Sequence, residues 1–255
     1  MIKVKEEEKK KYFHMFEEFT HNIPVIYSSL EGQYDGSLYV DDEVDPKIAV
    51  LFTQFAFHFI AGDSSAQNVV DLVDDMIFKQ YLYTSKEKEA IVFSPSQSWN
   101  GVLDEVFKRH NGIRDERVLY KLDRKKFYER YENRSESLNT EKKIALEKEN
   151  GSSIEYPICR VFVEQTCVSF CSGFMLGNGH AEIDVATEEE YRGLGYAKEA
   201  AFSLINELLK DDIEPNWCSW ACKEGSRRLA ESLGYDFAEE IPAHIWVEDE
   251  CGKIV

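Results

Sequence analysis

The hydrophobic pattern divides the chain into two unlike halves. Between residues 5 and 19, Tyr12, Phe13, Phe16 and Phe19 recur at the spacing of one helix face. Strand-like runs follow at 37–40 and at 49–60. In the second, Phe55, Phe57 and Phe59 alternate with Ala56, His58 and Ile60, which predicts a central strand buried on both faces. Gly62-Asp63-Ser64-Ser65 ends it, and Ser64 or Ser65 is placed to cap a helix carrying Val69, Val70, Leu72, Val73, Met76 and Ile77. A short strand at 90–93, a helix at 99–110, a strand at 117–122 and a helix at 124–131 complete this half.

Residues 132–153 are strongly polar and read as a partly helical connector. Three strands in succession are predicted after it, at 154–164, 167–176 and 180–186. The last two are joined by Gly177-Asn178-Gly179, a strong hairpin signal. The predicted organisation is an N-terminal α/β domain over 1–135, a connector over 136–153 and a second domain over 154–255. No fixed-period repeat and no low-complexity tract is found.

The candidate chemistry lies after the third of these strands. Val185-Ala186-Thr187 leads through an acidic run, Glu188 to Glu190, into Arg192-Gly193-Leu194-Gly195-Tyr196-Ala197 and then a helix with Ala200 and Ala201 at its start. Two glycines let backbone N–H donors approach an anion. The first N–H groups of the helix have no internal partners, and its dipole favours negative charge. Such a loop is a pyrophosphate site. It matches neither the P-loop nor the dinucleotide fingerprint. A plain strand-to-helix turn is the alternative for the glycine pair alone.

The order continues with a short strand at 217–220, a helix from Glu224 ending in Leu233-Gly234-Tyr235, and a final strand at 245–247. Gly234 suits the left-handed residue that ends a helix. Together, Arg192-x-x-Gly195-x-Ala197, the Leu-Gly-Tyr helix end and the strand order resemble the GNAT superfamily of acetyl-CoA-dependent N-acetyltransferases, over roughly residues 154–247. The first half, with Phe59-Ile60-Ala61-Gly62-Asp63, resembles a bacterial GNAT subgroup with an added N-terminal α/β domain. Some of its members resemble antibiotic self-resistance enzymes. The fold implied is α/β (α+β), with a mixed, mostly antiparallel sheet flanked by helices in the second domain. The first domain then shapes an acceptor cleft or forms a homodimer interface.

The resemblance also implies roles. Val185, Ala186 and Thr187 meet the pantetheine arm through their main chain, and Arg192, Gly193, Leu194, Gly195, Tyr196 and Ala197 hold the pyrophosphate of coenzyme A. Ser226 contacts the cosubstrate from the closing helix. Glu182 and Asp184 share one face of the strand, and Glu182 is the first candidate for a base or a carboxylate that orders water. A solvated sheet edge or an ion pair is the alternative for both. The family tyrosine that protonates the leaving thiolate falls at Ala230 and its asparagine at Lys223, so Tyr235 or water is left to supply the proton. His58 reads as a core residue; His180 and His244 are open to an acceptor-cleft role.

Composition narrows the function. The formal charge is −18, which disfavours nucleic acid and favours a cationic acceptor through local concentration. No apolar run approaches a membrane span of about 20 residues, and the charged N-terminus has no signal-peptide core, so a cytoplasmic location is expected. Cys167 and Cys171, like Cys218 and Cys222, are four apart and lack zinc-ligand spacing; no metal is expected. The sequence reading is acetyl transfer from acetyl-CoA to a small-molecule primary amine. Transfer to a protein amine, or a non-catalytic acyl-CoA sensor, are the alternatives.

Overall fold

A computed structural model describes residues 1–86, 88–133, 140–148 and 154–248. They form two compact units, Met1–Arg117 with the segment from Ile241, and Val118–Glu240. The boundaries fall inside strands, not across 136–153 as the polar composition suggests.

In chain order the first unit contains β1 (Ile2–Lys3), a 3-10 helix (Glu6–Phe16), α1 (Ile23–Leu30), β2 (Gly36–Val40), β3 (Ile48–Thr53), β4 (Phe57–Gly62) and α2 (Val69–Asp74). A π-helical stretch (Asp75–Tyr81) runs on into α3 (Leu82–Thr84), followed by β5 (Glu89–Phe93) and α4 (Asn100–Arg109). Strand β6 (Ile113–Leu122) leads into the second unit, which contains α5 (Arg124–Glu132), β7 (Glu141–Lys148), β8 (Glu155–Val163), β9 (Thr166–Gly177), β10 (His180–Thr187), α6 (Tyr196–Lys210), β11 (Glu214–Trp220) and α7 (Glu224–Leu233). Strand β12 (Tyr235–Val247) closes the second unit and ends in the first. The α/β class, with mixed, mostly antiparallel sheets flanked by helices, is as expected.

Both units follow one plan. In the first, β2, β3 and β4 are antiparallel, a helix follows, and β5 returns parallel to β4. In the second, β8, β9 and β10 are antiparallel, α6 follows, and β11 returns parallel to β10. Sequence periodicity does not show this repeat, because it lies in the order of elements and not in residue identity.

Three sequence expectations change. The aromatic run 49–60 is a hairpin, not one strand: the Thr53 hydroxyl lies 3.0 Å from the Phe55 carbonyl and 2.8 Å from that of Phe57, turning the chain between β3 and β4. Helix α2 starts at Asn68 in a left-handed conformation with no side-chain cap, so neither Ser64 nor Ser65 caps it. Within the polar connector, residues 141–148 form β7, paired with β8 along its whole length. Its side chains are exposed because it is an edge strand, which is where charged residues guard against edge-to-edge pairing. The rest of the connector, 134–139 and 149–153, lies outside the described residues.

Each unit has its own core. In the first, Val50, Ile60, Val73, Ile77, Val92, Trp99 and Leu103 pack together. In the second, α6 lays Ala200, Ala201, Leu204, Ile205 and Leu208 against Val161, Cys171 and Ile183 of the sheet. That packing fixes the start of α6 relative to the end of β10.

Candidate active site

Strands β10 and β11 are paired only at their beginnings. The parallel register runs His180 to Glu214, Ala181 to Pro215 and Glu182 to Asn216, and then stops. Beyond it, Ile183–Thr187 of β10 remain paired to β9 on the other side, while 217–220 of β11 diverge. The β11-facing backbone edge of β10 is thereby left without strand partners, as an extended ligand with amide groups requires. The end of β10 is pinned from β9: the Ser169 hydroxyl donates to the Ala186 carbonyl at 2.8 Å and lies 2.8 Å from the Thr187 hydroxyl. Val185, Ala186 and Thr187 all lie on this parted segment.

The loop that follows delivers the chain to the N-terminus of α6. A 3-10 turn at Glu189–Tyr191 precedes Gly193 and Gly195, which have φ of 77° and 91°. A Cβ on Gly193 would meet nothing within 4 Å, so its requirement is the left-handed backbone, not close packing. Gly195 is the N-cap and brings no side-chain hydrogen bond. The first N–H groups of the 15-residue helix therefore stay available, with the positive dipole end behind them. Arg192 is exposed and its Nε donates to the Thr187 carbonyl at 3.2 Å, so it braces the loop. Leu194 is exposed, and Tyr196 packs near Tyr191 with ring centroids 6.1 Å apart. Glu199, buried in the first turn of α6, pairs with Lys142 at 3.0 Å.

Glu182 is buried beside the last rung of the β10–β11 pairing, where His180 Nδ1 and Asn216 Oδ1 are 2.8 Å apart. Asp184 is exposed as a residue, yet its carboxyl is hemmed in: loss of hydration raises its pKa, partly offset by a hydrogen bond from the Val185 N–H. Ile183 and Val185 pack on the α6 side, so alternation places Glu182 and Asp184 together on the opposite face.

The other wall is β11 with α7. The Trp217 indole donates to the Ser226 hydroxyl at 3.1 Å. Ala230, where the resemblance expects a tyrosine, is fully buried. Gly234 ends α7 in the left-handed conformation, φ 108°. Tyr235 is buried and its hydroxyl donates to the Pro215 carbonyl at 3.1 Å; burial, then nearby Cys171, Glu214 and Glu182, raise its pKa well above the usual range. His58 and His244 lie in the first unit, buried and depressed in pKa chiefly by desolvation.

Sequence reasoning passed over Lys142, hidden in what read as a connector, and Ser219, a buried hydroxyl on β11. The sequence signal for Ser219 was slight: one polar residue among tryptophans and cysteines. Among the described residues no three His, Cys, Asp or Glu side chains are grouped to hold a metal ion, and no helix is long and apolar enough to cross a membrane.

Comparison with known proteins decides the family. The family model described as GNAT acetyltransferase matches residues 14–156 and 159–244. The chain belongs to the GNAT acetyltransferase family. It is an acetyltransferase. It is 28% identical over 232 residues, 84% of this chain and 87% of the other, to the uncharacterized N-acetyltransferase YdfB of Bacillus subtilis. The GCN5-related N-acetyltransferase-like protein of Streptococcus suis shares its fold over 94% of this chain and 98% of that one, with a TM-score of 0.65 and 24% identity. A GCN5-related N-acetyltransferase from Kribbella flavida aligns over 88% and 96%, with a TM-score of 0.57 and 12% identity. These structural likenesses extend through both units of this acetyltransferase.

Proposed function

We propose that the protein transfers an acetyl group from acetyl-CoA to a primary amine of a small cationic molecule. The observation that carries the cosubstrate is the parting of β10 from β11 immediately before an uncapped, glycine-led helix N-terminus. The residues fit an acyl-CoA: an unpaired strand edge for the amides of pantetheine, then N–H donors and a helix dipole for the pyrophosphate. Bound there, acetyl-CoA supplies an activated thioester carbonyl.

The chain's own groups do the rest. Main-chain N–H groups of the parted β10 segment are the donors available to an oxyanion. Glu182 and Asp184 lie on one face beside the opening. Either accepts the proton that an attacking amine must lose, directly or through water, and the raised pKa of Asp184 brings it nearer working pH. Their negative charge, in a chain of −18 overall, favours a cationic acceptor. Tyr235, with its hydroxyl committed to Pro215, is assigned to holding the start of β12, and water returns a proton to the thiolate.

The test is thiol release from acetyl-CoA with a panel of polyamines, aminosugars, aminoglycosides and amino acids, for wild type and Gly195→Glu. Amine-dependent release in the wild type, lost in the variant, is expected. Coenzyme A binding without turnover of any amine would favour the non-catalytic acyl-CoA sensor, which Ala230 at the tyrosine position keeps as the second reading. Absence of coenzyme A binding would overturn the proposal.

A further inference from the structure

Strand β11 leaves β10 after Asn216, so Trp217, Cys218, Ser219 and Trp220 border the parted segment. Alternate residues of a strand share a face. Trp217 and Ser219 therefore point the same way, and the reach of the Trp217 indole to Ser226 shows that this face is turned toward α7. Ser219 is only 7% exposed, and its hydroxyl oxygen is buried with no hydrogen-bond partner among the described residues. The buried positions of α7 are Ala230 and Leu233, which cannot supply one. Tyr235 is already engaged with Pro215. A buried hydroxyl left unsatisfied lowers stability, and nearly all such groups in folded proteins are paired. What sets Ser219 apart from Ser29, the other buried serine hydroxyl without a partner among the described residues, is its place on β11 beside the opening.

We infer that Ser219 is a catalytic residue whose hydroxyl donates a hydrogen bond to the thioester sulfur as that sulfur becomes a thiolate. The inference rests on the reading of the β10–β11 opening as the acyl-CoA site. It fills the vacancy left at Ala230, from the strand instead of the helix. In the step it serves, the amine nitrogen forms the new C–N bond and the C–S bond breaks, its electron pair staying on sulfur. The proton shed by nitrogen passes to water or to the carboxylates of Glu182 and Asp184, and water finally protonates the thiolate. Ser219 keeps its own proton, because an alkanol is a far weaker acid than a thiol. Its contribution is a charge-assisted hydrogen bond that strengthens as charge develops.

The measurement compares binding of coenzyme A and desulfo-coenzyme A, at about pH 7 and about pH 9, with the ligand-free melting temperature of each protein. Wild type is expected to prefer coenzyme A by about tenfold or more at the higher pH, the scale of a hydrogen bond to a charged group. Ser219→Ala should erase that preference and lower kcat about ten- to hundredfold with little change in KM. Its ligand-free melting temperature should be unchanged or higher. Ser219→Cys, a weaker donor, should fall between and serves as the second variant if alanine fails to fold. An unchanged preference in Ser219→Ala, or a drop in its ligand-free melting temperature, would overturn the inference and leave the acyl-CoA reading intact. No coenzyme A binding by any of the proteins would overturn that reading, and the inference with it.

Discussion

The carboxylate of Glu199, in the first turn of α6, is held 3.0 Å from the ammonium of Lys142 on β7. Glu199 is nearly buried and sits within one turn of the N–H groups assigned to the pyrophosphate. An uncompensated carboxylate there opposes a second anion, so Lys142 acts as the local counter-charge. Lys142→Met is expected to lower stability by about 1–3 kcal/mol, the cost of leaving a largely buried charged group without its partner. It should also weaken coenzyme A binding about tenfold. Adding Glu199→Gln should restore most of both losses, because the repelling charge goes with its partner. A double-mutant cycle on urea unfolding and on coenzyme A affinity checks this. Strictly additive effects would show that the pair does not act as a unit.

Gly234 ends α7 with φ of 108°, and a Cβ built on it would lie 2.7 Å from the Phe127 nitrogen and 2.9 Å from the Phe127 Cα. Both obstacles are backbone of α5 and have little room to yield. Gly234→Ala is therefore expected to cost about 2–4 kcal/mol, combining a disfavoured backbone conformation with overpacking. Urea unfolding measures it. A loss under about 1 kcal/mol, the ordinary scale for a glycine at a permissive position, would mean that α5 moves freely and does not fix this helix end.

Tyr235 offers a sharper functional test. Its hydroxyl donates to Pro215, on β11 within the paired base of the opening. Tyr235→Phe should then cost about 1 kcal/mol of stability and change kcat by less than about tenfold. A fall in kcat of about 10²–10⁴ with KM unchanged, the range for removal of a general acid, would return Tyr235 to the chemistry.

Much of this was legible in the residues. Gly177-Asn178-Gly179 marked the β9–β10 hairpin, and Asn178 and Gly179 do adopt positive φ there. Gly193 and Gly195 marked the loop, and Leu233-Gly234 the end of α7. These are local signals, set by backbone conformations few residues can adopt. What stayed hidden depends on long-range partners. Residues 141–148 read as polar connector because an exposed edge strand has no core face to show. The 49–60 run read as one strand because the turn at Thr53 is made by a side chain folding onto later carbonyls, which alternation does not register. The repeat of one plan in both units is carried by pairing order alone.

That repeat raises the question of how many cosubstrate molecules one chain holds. In the first unit β5 does not diverge from β4 but ends at Phe93, the partner of Phe59, and the edge of β4 beyond it is covered: the buried Trp99 indole, from the segment after β5, donates to the carbonyl of Gly62 at the end of β4 at 3.1 Å. Asp63 adds a carboxylate where the second unit has its glycine loop, and that carboxylate accepts from the N–H and hydroxyl of Ser65. A single site is expected. Hydrogen exchange with saturating acetyl-CoA should slow amides in 183–200 and leave 57–70 unchanged, with a binding stoichiometry of one per chain. Protection of 57–70, or a second site surviving in Gly195→Glu, would contradict it.

Beside His244, two more deeply buried imidazoles, His21 and His58, contribute to the acid sensitivity expected of the first unit. His21 lies between Asn22 and the Ser94 carbonyl, and desolvation lowers its pKa to about 4. His58 accepts from the Thr53 N–H and packs against Phe52 and Tyr81, and burial lowers its pKa to about 3. Both stay neutral in the folded chain, while in the unfolded chain they take up protons near the ordinary imidazole value of about 6.5. The unfolded state then binds more protons, so stability is complete above about pH 6.5 and falls as pH drops toward the folded values. The expected loss by about pH 4 is on the order of 3 kcal/mol per histidine. His58→Phe, which keeps an aromatic ring in the cluster, should remove about half of the part due to His21 and His58. Urea midpoints of wild type and variant, compared between pH 7 and pH 4, provide the check. Parallel curves for the two proteins would mean that His58 gains its proton without unfolding the unit.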